Sequence, residues 1–135
     1  AAITPASGTV GPLGAMAIGL ASGLFCYWLT TAVKRRFGYD DALDVVGVHG
    51  GGGLIGTLLL SVFASTALGG SKADLHMPAQ FLIQAFACVT CAIYCMVITF
   101  VLLKAIDAVI GLRVGEEAET IGLDISEHEE TGYVL

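Results

Sequence analysis

Charge is what this sequence has least of: 13% of its 135 residues are Asp, Glu, Lys or Arg, whereas 56% are hydrophobic. With a mean hydropathy of +0.82, that balance excludes a water-facing globular domain, which carries roughly 25% charged residues. The scarcity is also concentrated. No charged residue lies between Asp44 and Lys72, or between Asp74 and Lys104, and each gap exceeds the ~20 apolar residues that cross a bilayer as a helix.

Basic residues number six, too few for a nucleic-acid footprint, so no nucleic-acid partner is expected. Phosphate-binding loops, dinucleotide fingerprints and nucleophile elbows are missing too, which leaves an enzyme reading without residues to stand on. The four cysteines, Cys26, Cys88, Cys91 and Cys95, lie within apolar runs, so no disulfide framework is implied. Cys88, Cys91 and Cys95 share one helical face and include a C-x-x-C. No second Cys pair or nearby His completes a site around them, so they read as packing groups, and neither a metal nor a cofactor is expected.

What the sequence does hold is long apolar runs with small-residue faces. A first span at 11–33 opens with Pro12 at a first helical position and stops at Lys34, Arg35 and Arg36. Within it Gly11, Ala15, Gly19 and Gly23 recur every four residues and make a smooth face that another helix can approach. A second span at 45–68 places Gly53, Thr57, Ser61 and Ser65 on one face. A third at 80–110 follows Pro78, stays uncharged until Lys104 and is amphipathic beyond it. Loops at 34–44 and 69–79 join the spans, residues 1–10 read as the end of an earlier span or loop, and 111–135 form a tail. The first residues carry neither the basic start nor the short apolar core of a secretory signal. The expected fold class is all-α and integral to the membrane, and the small-residue faces point to a fragment or subunit that packs against further helices.

Orientation follows from the basic residues. Lys34, Arg35 and Arg36 lie between the first two spans and Lys104 and Arg113 after the third, which puts both ends on the cytoplasmic side. The tail is then cytoplasmic, and it carries most of the acidity behind the net charge of -6. Within it, Ser126 and Glu129 fit a capping box that would start a short helix.

His49 is the residue most exposed to a functional reading, because a titratable group within a span is costly and tolerated mainly on a bundle interior or an aqueous path. A histidine bonded to a neighbouring helix is the alternative. Gly50, Gly51, Gly52 and Gly53 follow it directly, at a cost of about 1 kcal/mol each relative to Ala in a helix interior. They leave the backbone open to a ligand or a crossing helix. Asp40, Asp41 and Asp44 stand at the cytoplasmic entrance; capping accounts for Asp40 and Asp41, while Asp44 is balanced between capping and function.

The stretch Asp44-Val45-Val46-Gly47-Val48-His49-Gly50-Gly51-Gly52-Gly53-Leu54-Ile55-Gly56-Thr57 resembles the tenth helix of the ammonium transporters. The tail agrees: Gly111-Leu112-Arg113-Val114, Glu116-Glu117, Gly122-Leu123-Asp124, His128 and Tyr133 are similar to the family's cytoplasmic C-terminal region. Ile3-Thr4-Pro5-Ala6 resembles the end of its eighth helix. The resemblance implies an eleven-helix protomer, of which this chain supplies helices nine to eleven, assembled as a homotrimer in the plasma membrane.

It further implies that His49 is the second of two histidines lining an apolar pore that conducts ammonium as ammonia and a proton. Gly50, Gly52, Gly53 and Gly56 would be close-packing residues near that pore, and Asp44 would hold the helix start or a cytoplasmic network. Gly122, Leu123 and Asp124 would contact a neighbouring subunit and serve regulation by a cytoplasmic PII-type signalling protein. The partner histidine would lie on earlier helices of the protomer. A non-conducting membrane sensor or assembly subunit with the same fold is the rival reading.

Overall fold

The structure, a computed structural model, describes residues 1–130 and residue 132. Tyr133 and the last residues of the expected tail therefore lie outside the described residues. Among the described residues three helices are long and apolar enough to cross a membrane: α1 (Pro12–Phe37), α2 (Val46–Phe63) and α3 (Met77–Val109). Two short helices follow, α4 (Glu116–Ile121) and α5 (Leu123–His128). The chain divides into two compact units, residues 1–92 and 93–135.

In the first unit, α1 begins at Pro12, whose fixed φ suits the first turn and whose missing N–H is not needed there. It outruns the expected end at residue 33. Lys34, Arg35 and Arg36 sit in its last turn, where positive charge complements the exposed carbonyls, and Gly38 closes it in the left-handed conformation with φ 59°. Five residues of α1, Leu29–Val33, are wound as π-helix.

α2 also contains a π-helical stretch, Val46–Gly50, before the regular helix Gly51–Phe63. It stops short of the expected residue 68 because Ser65 turns extended and accepts a hydrogen bond from the Ala67 amide at 3.3 Å. That opens a tight loop, in which the Lys72 amide donates to the Ala64 carbonyl at 2.8 Å and the Ser71 amide to the Thr9 carbonyl at 2.9 Å. The connection between α2 and α3 is thereby tied to the N-terminal segment.

The face of α1 that packs on α2 is distinct from most of the small-residue stripe. Gly14, Ile18 and Ser22 are buried, whereas Gly19 and Gly23 have open space where a side chain would stand. A small-residue stripe says where a backbone can approach but not which neighbour will use it. Ala2, Ala6 and Ile18 form the core, with Val10, Leu59, Leu60 and Phe63 packed around them. Ala6 belongs to a single 3-10 turn, Thr4–Ala6, which lies against α2.

α3 runs for 33 residues, or about 50 Å at 1.5 Å per residue, well beyond the ~30 Å hydrocarbon core. It takes Pro78 into its first turn and starts at Met77, earlier than residue 80, with the His76 Nδ1 accepting from the Ala79 amide at 3.4 Å. No residue of α3 is buried, as befits a helix whose surroundings are lipid or other helices.

In the second unit α3 ends at Gly111, in the left-handed region at φ 81°. Arg113 then holds the Glu119 carboxylate through Nη2 at 2.8 Å and Nε at 3.2 Å. Ser126 lies inside α5 rather than at its start; the N-cap is Gly122. The capping-box expectation is thus corrected: a glycine at φ 101° breaks the chain direction four residues earlier and the helix follows from there.

Candidate functional site

The start of α2 is built by two aspartates and one lysine. Asp41 is the cap: its Oδ1 accepts from the Val45 amide and its Oδ2 from the Val46 amide, both at 2.8 Å. Those are donors that an unaided helix start leaves without partners. Asp44, the other residue weighed for this role, does something different. It sits in the left-handed region at φ 55°, and its Oδ1 pairs with the Lys34 Nζ at 2.6 Å. Lys34 also donates to the Asp41 carbonyl at 2.6 Å. One ammonium group from the end of α1 therefore holds both acidic residues of the connection.

Five residues on, His49 lies within the π-helical stretch. The sequence reading has this side chain buried; within this chain it is exposed. It stands on the wall of a cavity of ≈ 650 Å³ bounded by Ala1, Thr4 and Pro5 of the N-terminal turn, by His49, Gly50, Gly53, Leu54 and Thr57 of α2, and by Cys88, Cys91 and Ala92 of α3. No Asp, Glu, Lys or Arg lines it. Its polar groups are one imidazole, hydroxyls and thiols, a lining that binds by hydrogen bonding and not by ion pairing.

The glycines of α2 fall into two sets. A side-chain carbon on Gly52 would meet the Ala1 side chain at 3.1 Å and the Cys26 Sγ at 3.5 Å, and one on Gly56 would overlap the Ala2 carbonyl. These two are packing glycines. Gly50 and Gly53 have nothing within 4 Å and line the cavity.

Two further glycines pack: Gly51, of the run read as open to a crossing helix, against Leu29 and Phe25, and Gly47, which sequence reasoning did not single out, against the Thr30 side chain. The available signal was spacing, since Gly47 and Gly51, like Gly52 and Gly56, lie four apart and so stack on one side of a helix.

The same crossing brings the two π-helical stretches together. Leu29–Val33 and Val46–Gly50 are in contact, and the Cys26 thiol reaches the Val48 carbonyl at 3.7 Å. Insertions of this kind recur at functional sites, and nothing in the side-chain pattern announces them. Cys88 and Cys91 line the cavity, while Cys95 is exposed. Among the described residues no group of three or more His, Cys, Asp or Glu is placed to hold a metal ion.

In the tail, Gly122, Leu123 and Asp124 form the joint between α4 and α5. A side-chain carbon on Gly122 would come within 2.7 Å of the Asp124 Oδ1. The Asp124 carbonyl accepts from the Glu130 amide at 2.9 Å, and Leu123 is exposed.

Comparison with known proteins bears on what this arrangement serves. The profile of the Ammonium Transporter Family matches residues 1–133. An ammonium transporter of Aquifex aeolicus is 44% identical over 135 residues, 99% of this chain and 32% of the relative. One of Bacillus subtilis is 39% identical, over 98% of this chain and 33% of the relative. One of Archaeoglobus fulgidus is 39% identical, over 98% and 34%. The chain thus spans about a third of the length of the curated relatives it matches.

Proposed function

The chain belongs to the ammonium transporter family, and we propose that it supplies the C-terminal part of a channel or transporter in which His49 lines the path of ammonium. The observation that carries this reading is the cavity wall: an imidazole from a membrane-spanning helix facing a space that no charged side chain lines.

A bare cation is expensive in such a space and neutral ammonia far less so. Neutral imidazole donates from one nitrogen and accepts at the other, so it can hold ammonia by a hydrogen bond and pass a proton along the same line. Gly50 and Gly53 serve the path by leaving its wall without side chains. The remaining helices of the protomer close the pore and bring a second histidine to His49.

In this reading the protein spans the plasma membrane several times, assembles as a homotrimer and keeps the tail after α3 in the cytoplasm, where the basic residues Lys34, Arg35 and Arg36 also lie. The joint at Gly122, Leu123 and Asp124 meets a neighbouring subunit, and a PII-type signalling protein docks on that face. The decisive measurement is ammonium uptake into proteoliposomes by the complete protein. His49→Ala is expected to lower the flux by at least about tenfold, the loss that a single hydrogen-bonding group of ~1.4 kcal/mol entails. Native flux in His49→Ala would refute the assignment.

A further inference from the structure

We propose that Lys34 is a positioning residue for transport: through Asp44 it fixes the winding of the Val46–Gly50 stretch and so the direction in which His49 points. The inference rests on the proposed conduction past His49.

Three observations converge on it. First, Lys34 makes two contacts of 2.6 Å, to the Asp44 carboxylate and to the Asp41 carbonyl, so it bridges the end of α1 and the start of α2. Second, Asp44 carries a left-handed backbone at φ 55°, a conformation that a residue with a side chain keeps only when its surroundings impose it. Third, the π-helical stretch begins two residues beyond Asp44 and ends just after His49, and the Val48 amide donates to the Asp44 carbonyl at 2.8 Å. The strained residue is therefore hydrogen-bonded into the very turn that holds the histidine.

The mechanical consequence can be sized. A π-helical stretch holds one residue more than the α-helix it interrupts. Reversion to α-helix displaces the residues on one side by a full position, about 100° around the axis at 3.6 residues per turn. The Gly51 end cannot take up that rotation, because Gly51, Gly52 and Gly56 are buried and meet Leu29, Ala1 and Ala2. Rotation falls instead on the Asp44 end and carries His49 with it. The Lys34 bridge at that end opposes it together with Gly47, buried against Thr30, and the Asp41 carboxylate holds the Val45 and Val46 amides in place.

The test uses the complete transporter in proteoliposomes, with rates referred to the amount of folded protein. Lys34→Met and Asp44→Asn are each expected to lower the maximal rate by roughly fivefold to tenfold and to leave the half-saturating concentration within about twofold, because the path is misaligned and not blocked. The double variant should be no slower than Lys34→Met alone, since that change already removes the ion pair that Asp44→Asn weakens. Lys34→Arg should keep at least about half the native rate. Asparagine tolerates left-handed backbone as aspartate does, so Asp44→Asn removes the charge and spares the conformation. Should Lys34→Met not fold, Asp44→Asn decides by the same criterion.

A role in stability alone would lower the yield and leave the rate per folded protein unchanged, and that result overturns the proposal. So does a double variant whose losses multiply. Native protein without flux, or His49→Ala with native flux, would instead remove the conduction reading on which the proposal stands.

Discussion

Two glycines three residues apart in α2 should respond oppositely to the same change. On helix propensity alone, Gly→Ala stabilises a helix interior by about 1 kcal/mol at either position. At Gly53 nothing lies within 4 Å of the added carbon, so Gly53→Ala keeps that gain. At Gly56 the added carbon overlaps the carbonyl of Ala2, a backbone group of the N-terminal segment that cannot swing aside as a side-chain tip would. Ala2 is itself in the core with Ala6 and Ile18, so relief there disturbs the packing of α1 as well. Overpacking of this kind costs about 1–3 kcal/mol. The propensity gain is common to both variants, and their difference isolates the overlap: Gly56→Ala should be less stable than Gly53→Ala by about 1–3 kcal/mol. Thermal unfolding of the complete, detergent-solubilised protein measures it. A Gly56→Ala protein as stable as Gly53→Ala would show that the N-terminal segment does not pack on α2 as described.

Other substitutions probe the remaining joints. Asp41→Ala strips the cap from the Val45 and Val46 amides and should cost about 0.5–2 kcal/mol in the same melt; no change would mean that other groups satisfy those amides. Gly47→Ala drives a methyl group into the Thr30 Cγ2, so Thr30→Ser, which lacks that carbon, should restore most of the lost stability. Purely additive effects of the two changes would show that the helices do not cross there. Gly122→Ala places a side chain at φ 101° and against the Asp124 carboxylate, and should speed limited proteolysis between α4 and α5. An unchanged cleavage rate would show that the joint does not depend on that conformation.

How far the residues alone lead depends on which force decides each feature. The spans were legible because the penalty for a charge in hydrocarbon acts on each residue separately, wherever its neighbours are. The start of α1 was legible at Pro12, which dictates backbone geometry, whereas its end at Gly38 was missed because the basic run was taken as the stop. Between Asp41 and Asp44 composition could not choose: both are carboxylates at a helix start, and only the backbone angle of Asp44 and the reach of Lys34 separate cap from bridge. Which face meets α2 was not legible for a related reason: Gly11, Ala15, Gly19 and Gly23 form a smooth stripe, yet α2 is met through Gly14, Ile18 and Ser22, with Gly14 against Phe63. The π-helical stretches left no side-chain signature, since they are a slip in backbone pairing. Gly47 merely makes that slip inexpensive, since a side chain there would collide with Thr30.

The two sides of α2 differ in chemistry in a way that constrains what can cover them. One carries Gly47, Gly51, Gly52 and Gly56, all buried, and is spent on holding α1 and the N-terminal turn. The other carries His49, Gly50, Gly53 and Thr57 and faces the cavity. Lipid is a poor occupant for that second side. Glycine offers an acyl chain little to touch, and an imidazole facing hydrocarbon loses hydrogen bonds worth more than its packing returns. A polar guest or another small-faced helix suits it, and the two are compatible: a helix can close the cavity from outside while a small hydrogen-bonding molecule occupies it. Ammonia meets the second requirement with three donors and one acceptor in a body no larger than water. The exposure of His49 in this chain is therefore no conflict with its cost in a membrane. In the proposed reading, it marks the side of α2 on which the rest of the transporter and its substrate belong.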